Sequence, residues 1–204
     1  MDKVVTIEGA AAPLLIPNVD TDKIIRIERL MQNTRQALGQ YALEVLRYDT
    51  DGRENPEFVL NREPYRGAPI LLSGSNFGCG SSREGAVWAL LGAGIRCVIA
   101  ESFGEIFYNN CFQNGMLPIR LEAAQIASLS QASIPMKVDL TNQTITAGAL
   151  KYGFEIESIR RDALMEGVDE ITRTLRYRER IADWQNDDRL QRPWLWEPVA
   201  LRRT

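Results

Sequence analysis

The sequence predicts an α/β fold with a parallel sheet at its centre and a smaller antiparallel portion after it, and two observations carry that expectation. Between residues 68 and 121, short continuous apolar runs (APILLSG, RCVIAES, MLPIRL) alternate with stretches of helical pattern (SREGAVWALLGAG, FGEIFYNNCFQNG). Buried strands separated by helices of that length are parallel strands joined by right-handed crossovers. From residue 136 the pattern changes: MKVDL and TIT flank a Thr-Asn-Gln turn, and LKYGFEI alternates as a further strand, which reads as an antiparallel meander.

From the N-terminus, the β-branched run Lys3-Val4-Val5-Thr6-Ile7 reads as the first strand, ending at Gly9 and the alanines, with Pro13 and Pro17 framing a loop. Asn18-Val19-Asp20-Thr21-Asp22 is a turn rich in helix N-caps, and residues 23–31 follow as a helix with Ile24, Ile25, Ile27 and Leu30 apolar. Residues 38–48 have apolar side chains near helical spacing, whereas residues 49–56 (DTDGRENP) are dense in turn formers and form an exposed excursion. Beyond the meander, charges rise from Ser158. A helix is expected around residues 169–184, leading into the apolar end RPWLWEPVALRRT. A chain of 204 residues is expected to form one domain over 1–204, with its core at about 3–157 and helices and a tail over 158–204.

The composition removes whole mechanisms, because the chain has no histidine. A Ser-His-Asp or Cys-His nucleophile system, an HExxH zinc site and a histidine proton shuttle cannot be built from it alone. Acid–base chemistry must use carboxylates, Ser, Tyr, Lys or Cys, or borrow from a partner. With 24 basic against 27 acidic residues there is no general field for phosphate backbones, so nucleic acid is not the expected partner. Cys79, Cys97 and Cys111 lack the CxxC spacing of a disulfide framework or zinc ribbon, so no metal is expected on this chain. No apolar stretch approaches 18 residues, the N-terminus is unlike a signal peptide, and a cytoplasmic location without a membrane partner is expected.

The densest chemical feature is the segment Ser73-Gly74-Ser75-Asn76-Phe77-Gly78-Cys79-Gly80-Ser81-Ser82-Arg83-Glu84, set between a buried strand and a helix. Its glycines allow a tight turn, so that free amides converge at a helix start, where an anion is favoured. Arg83 adds a planar fork that matches a carboxylate in two parallel hydrogen bonds, and the end of a parallel strand suits a ligand. It is no Walker A loop, since the lysine is missing. The competing reading is a glycine-rich turn capped by Ser81 or Ser82, with Arg83 and Glu84 solvated on the first turn. Asp20 and Asp22 read equally as helix caps.

Three motifs in order, Asn18-Val19-Asp20-Thr21-Asp22-Lys23-Ile24-Ile25, NFGCGSSRE over residues 76–84 and VIAESFGEIFYNNCFQNGMLPI over residues 98–119, closely resemble the small subunits of 3-isopropylmalate dehydratases, in the aconitase superfamily. The resemblance runs from about Val4 to about Asp169. It implies a three-layer β/β/α swivelling domain with a C-terminal helical extension, and a hydro-lyase that isomerises 2-isopropylmalate to 3-isopropylmalate in leucine biosynthesis by dehydration and rehydration. It also implies a large-subunit partner that holds the [4Fe–4S] cluster, with no cofactor on this chain. By resemblance Ser81 removes the proton next to a substrate carboxylate and Asp22 joins it as a catalytic residue, pairing with a histidine of the large subunit. Arg83 clamps a carboxylate, and Gly80, Ser82, Arg26 and Leu30 touch the substrate.

Two departures from the family pattern bear on the substrate. Gly85 stands where the family usually has histidine after SSRE, and Arg26 where it usually has proline; Arg29 adds further charge. Glycine there loosens the helix start. The arginines put charge where an isopropyl group would expect apolar contact. A related dicarboxylate or tricarboxylate (citraconate, dimethylmaleate, homoaconitate) is the alternative substrate. A non-catalytic regulatory partner is a third reading, against which Ser81, Arg83 and Asp22 speak.

Overall fold

The computed structural model describes residues 1–80, 83–132 and 135–196, and the chain divides into two compact units, Met1–Val168 and Asp169–Thr204. The first opens with strands β1 (Thr6–Gly9) and β2 (Ala11–Leu14), helices α1 (Thr21–Ile24) and α2 (Ile27–Gln32), a 3-10 turn at Arg35–Tyr41 and helix α3 (Glu44–Arg47). The expected alternation follows: β3 (Ile70–Ser73), α4 (Glu84–Gly92), β4 (Cys97–Ala100), α5 (Glu105–Asn114), β5 (Leu117–Arg120). Helix α6 (Ala123–Ser130) leads to β6 (Met136–Asp139), β7 (Thr144–Ala147), β8 (Leu150–Gly153) and α7 (Ser158–Glu166).

Strands β2-β3-β4-β5 form a parallel sheet in that order, and β1-β6-β7-β8 an antiparallel one. Every residue of β3 and β4 is buried, which explains their unbroken apolar runs. Alternate side chains serve opposite faces. Leu71, Val98 and Ala100 join a cluster with Val87, Leu90, Phe107 and Cys111 of α4 and α5, while Ile70, Leu72, Cys97 and Ile99 join Met136, Val138 and Ile145 of the second sheet. Helices, parallel sheet and antiparallel sheet therefore make the three layers of the expected β/β/α fold. At about 1.5–3 kcal/mol for each fully buried Leu, Ile or Val, the two-sided burial of β3 and β4 makes them the fixed platform for the loops at their ends.

Three local expectations are corrected. The alanines after Gly9 continue into β2, which pairs parallel with β3 at Ala11↔Ile70 and Pro13↔Leu72. Proline is tolerated because β2 is the edge of the sheet. The single helix expected over residues 23–31 is broken: Ile25 and Arg26 are extended, and the Leu43 amide donates to the Ile24 carbonyl at 2.8 Å, ending α1. Residues 38–48 form a 3-10 turn and a short helix separated by Leu43 in the left-handed region (φ 57°).

The second unit holds α8 (Glu170–Thr174), a 3-10 turn (Leu175–Tyr177) and α9 (Arg178–Gln191). Its buried anchor is Asp188, which accepts from Arg192 Nε at 2.6 Å and from the Trp196 indole at 2.9 Å; these donors, the indole foremost, hold its carboxyl below the usual range. Residues 197–204, the last part of the apolar end, lie outside the described residues. Among the described residues, no helix is long and apolar enough to cross a membrane.

Candidate active site

Loops 15–20 and 74–80 leave the C-terminal ends of β2 and β3 and run side by side, stitched by backbone. The Asn18 amide donates to the Ser75 carbonyl at 2.9 Å, the Gly78 amide to Val19 at 2.7 Å and the Thr21 amide to Cys79 at 3.0 Å. The Asn76 side-chain amide adds a bond to Asn18 Oδ1 at 2.7 Å. The loop after β4 braces the other side, where Ser102 accepts from the Asn76 amide at its hydroxyl (2.8 Å) and from the Phe77 amide at its carbonyl (3.0 Å). Beneath lie the rings of Phe77, Phe103 and Phe107, with Phe77 edge-on to Phe107 at 5.4 Å. Gly78 is dictated twice: its φ is +72°, and a Cβ there would stand 2.2 Å from the Phe107 ring.

Asp20 caps α1, accepting from the Lys23 amide at 2.7 Å, and the Lys23 ammonium stands 3.4 Å from the same carboxylate. Asp20 is thus spent as a cap, while Asp22 on the first turn points away and pairs with Arg83. Arg83 is the N-cap of α4, its side chain only 18% exposed, whereas the Asp22 side chain is 61% exposed. The pair holds a guanidinium at the mouth of the stitched loops with its anionic partner facing solvent. A better-placed carboxylate can replace Asp22 there without leaving Arg83 uncompensated.

Of the residues singled out in the sequence, Asp22 and Arg83 are brought together, and Gly80 lies beside Asp20, where a Cβ would be 3.5 Å from the Asp20 Cβ. Ser81 and Ser82 lie outside the described residues. Arg26 is the N-cap of α2 and lines a cavity of about 290 Å³ with Asp22, Lys23, Ile27 and Val45. Arg29 has a fixed partner: it donates to Glu44 at 2.9 Å and lies over the Tyr41 ring at 4.3 Å, whereas the Arg26 Nε is 4.0 Å from Glu44 and its side chain is 58% exposed. Leu30 packs against the start of α4 in the space that Gly85 leaves free, with Leu30 Cδ2 2.3 Å from where a Cβ on residue 85 would sit.

The sequence reading missed the bracing behind this face. Glu84 is exposed, as the competing reading of a solvated first turn has it, and it also accepts at 2.8 Å from the side-chain amide of Asn114, which in turn receives bonds from Trp88 and Arg35. No local pattern announces partners 30 and 79 residues apart.

Cys97 and Cys111 do not fit an iron–sulfur cluster. Cys97 and Cys111 are fully buried, and desolvation pushes both thiols well above their ordinary range, so neither offers the thiolate a cluster needs. Among the described residues, no group of three or more His, Cys, Asp or Glu side chains could hold a metal ion.

Comparison with known proteins places this geometry in a family. The model of the aconitase C-terminal domain matches residues 1–124. The chain is 48% identical over 202 residues to the 3-isopropylmalate dehydratase small subunit of Rhodopseudomonas palustris strain BisA53, covering 95% of this chain and all of that protein. It is 46% identical over 201 residues to the same-named subunit of Roseobacter denitrificans, covering 96% of this chain and all of the relative. Among solved structures it is similar to a 3-isopropylmalate dehydratase of Methanocaldococcus jannaschii, with a TM-score of 0.65 and 27% identity over 88% of this chain and 99% of that one. With its stitched loops at the ends of a parallel sheet and its full-length likeness to these subunits, the chain belongs to the 3-isopropylmalate dehydratase small-subunit family of the aconitase superfamily.

Proposed function

We propose that this chain is the small subunit of a 3-isopropylmalate dehydratase, a hydro-lyase that isomerises 2-isopropylmalate to 3-isopropylmalate in leucine biosynthesis, working in the cytoplasm with a large subunit. The observation that carries the reading is the Arg83–Asp22 pair at the carboxyl ends of the parallel strands. It offers a bidentate fork to a dicarboxylate, in a chain whose full-length relatives carry that name.

In this reading a substrate carboxylate displaces Asp22 from Arg83. Asp22, freed, accepts from a histidine of the large subunit, since this chain has none. Ser81 takes the proton from the carbon next to the carboxylate, the hydroxyl of the neighbouring carbon takes a proton from an acid of the large subunit and leaves as water, and water adds back to the unsaturated acid with the opposite placement. A serine hydroxyl is too weak a base unless its alkoxide is stabilised, so the amides between Gly78 and Ser82 and the cationic Arg83 must lower its pKa. Gly80 and Ser82 complete the carboxylate cradle, and Arg26 and Leu30 border the side-group end. Cys97 and Cys111 being unfit for it, the [4Fe–4S] cluster belongs to the large subunit, and the chain works with that partner as one swivel-type domain.

The test is co-expression with the cognate large subunit, followed by conversion of 2-isopropylmalate by the cluster-loaded complex. Turnover that disappears with Ser81→Ala is the expected result. A loaded complex that leaves 2-isopropylmalate untouched overturns the substrate, and activity that survives Ser81→Ala favours a regulatory role. One observation favours a second substrate: Arg26, unlike Arg29, keeps an exposed guanidinium at the cavity beside Asp22. A panel containing citraconate, dimethylmaleate and homoaconitate, run on the same complex, separates the two readings.

A further inference from the structure

Asn114 is the last residue of α5, is 9% exposed, and uses every hydrogen bond its amide can make. Its nitrogen donates to Glu84 Oε1 at 2.8 Å and to the Asn110 carbonyl at 2.9 Å. Its oxygen accepts from the Trp88 indole at 2.8 Å and from Arg35 Nη2 at 2.9 Å. Both partners of the oxygen are obligate donors, so the amide has one orientation, and its nitrogen must face Glu84. The Arg35 guanidinium also lies over the Trp88 ring, 4.8 Å from its centre, closing the network from the side of the 3-10 turn.

Glu84 and Trp88 are one helical turn apart on the same face of α4. A side chain bonded to both fixes the roll of α4 about its axis, and Arg83, the residue just before Glu84, leaves the helix in a direction set by that roll. The Glu84 bond has a second effect. An untethered carboxylate one residue from Arg83 would compete for its guanidinium and repel an anionic ligand. Bonded to Asn114 of α5, it has a donor of its own.

We propose that Asn114 is a positioning residue for the substrate clamp: it aims Arg83 at the ligand and parks the Glu84 carboxylate away from it. This rests on the reading of Arg83 as a carboxylate clamp. Since the clamp binds ground state and transition state alike, its loss appears in KM rather than kcat.

The experiment is a reciprocal exchange in the reconstituted complex, read as KM and kcat for 2-isopropylmalate. Asn114→Asp is isosteric and keeps an oxygen for Trp88 and Arg35 but sets a carboxylate oxygen against Glu84 and the Asn110 carbonyl; KM should rise ~10-fold with kcat within ~3-fold. Adding Glu84→Gln restores the bond with donor and acceptor exchanged, and KM should return to within ~3-fold of the parent. Glu84→Gln alone keeps an acceptor for Asn114 and should leave KM near the parent value. If Asn114→Asp does not assemble, Asn114→Ser, too short to reach Glu84, carries the same expected rise. An unchanged KM in an assembled Asn114 variant overturns the proposal, as does a raised KM that Glu84→Gln fails to lower, which marks a general structural loss. A parent complex inactive on 2-isopropylmalate instead overturns the substrate reading, and the exchange is then read on whichever dicarboxylate of the panel is turned over.

Discussion

Leu30 and Gly85 share one volume: the Leu30 Cδ2 lies 2.3 Å from the point a Cβ on residue 85 would occupy, and Gly85 is fully enclosed in α4. Gly85→Ala gains about 1 kcal/mol of helix propensity and must rotate the tip of Leu30, at about 0.5–1.5 kcal/mol, so stability should barely change. Gly85→His cannot be absorbed by a rotamer. It should cost about 1–3 kcal/mol in urea denaturation, most of it recovered by adding Leu30→Ala. A histidine variant as stable as the parent would show that α2 moves aside freely.

Gly78 and Gly80 both have positive φ, at +72° and +89°, but their surroundings differ. At Gly78 an added Cβ meets the buried Phe107 ring, which is locked between Phe77 and Phe103, and Gly78→Ala should cost about 3 kcal/mol or more through backbone strain and overpacking together. At Gly80 the nearest atom among the described residues is the Asp20 Cβ, at 3.5 Å, an ordinary contact, so Gly80→Ala should show mainly strain, about 1–2 kcal/mol. Equal denaturation midpoints for the two variants would contradict the ring contact.

Arg83→Lys keeps the charge and loses the fork. In the cluster-loaded complex, kcat/KM for the dicarboxylate should fall about 10–100-fold, chiefly through KM. A lysine variant within twofold of the parent would mean that Arg83 acts only as a point charge.

Asp139 predicts a pH signature. The Asn142 amide (3.0 Å) and then its side chain (2.9 Å) donate to this carboxylate and hold its pKa below the ordinary 3.8. A depressed folded-state pKa means stability that is present above the unfolded value and lost as pH falls through the folded one. Asp139→Asn should therefore be less stable than the parent at neutral pH, the gap closing below about pH 4. Urea midpoints measured across that range check it, and a gap that stays constant with pH would rule out the charge as its source.

The parallel centre and the meander were legible because local and global demands agree there: the runs of β3 and β4 are apolar at every position since both faces are covered. β2 was not, because alanine is a poor strand former and Pro13 reads as a breaker; only its place at the sheet edge makes that sequence a strand. The break between α1 and α2 was equally hidden, since Leu43, far along the chain, supplies the hydrogen bond that ends α1. Asp22 and Arg83 could be named from motifs, whereas the bracing of Arg83 through Asn114 rests on distant residues whose pairing only the fold creates.

The bonds joining loop 15–20 and the start of α1 to loop 74–80 run mainly between backbone groups, at Asn18–Ser75, Val19–Gly78 and Thr21–Cys79. Backbone donors do not depend on side-chain identity. The seam can therefore be inherited unchanged while the side chains lining it are exchanged, so a chimera grafting a relative's loop 15–20 into this chain should keep its alignment to the glycine-rich segment and change only what that surface recognises.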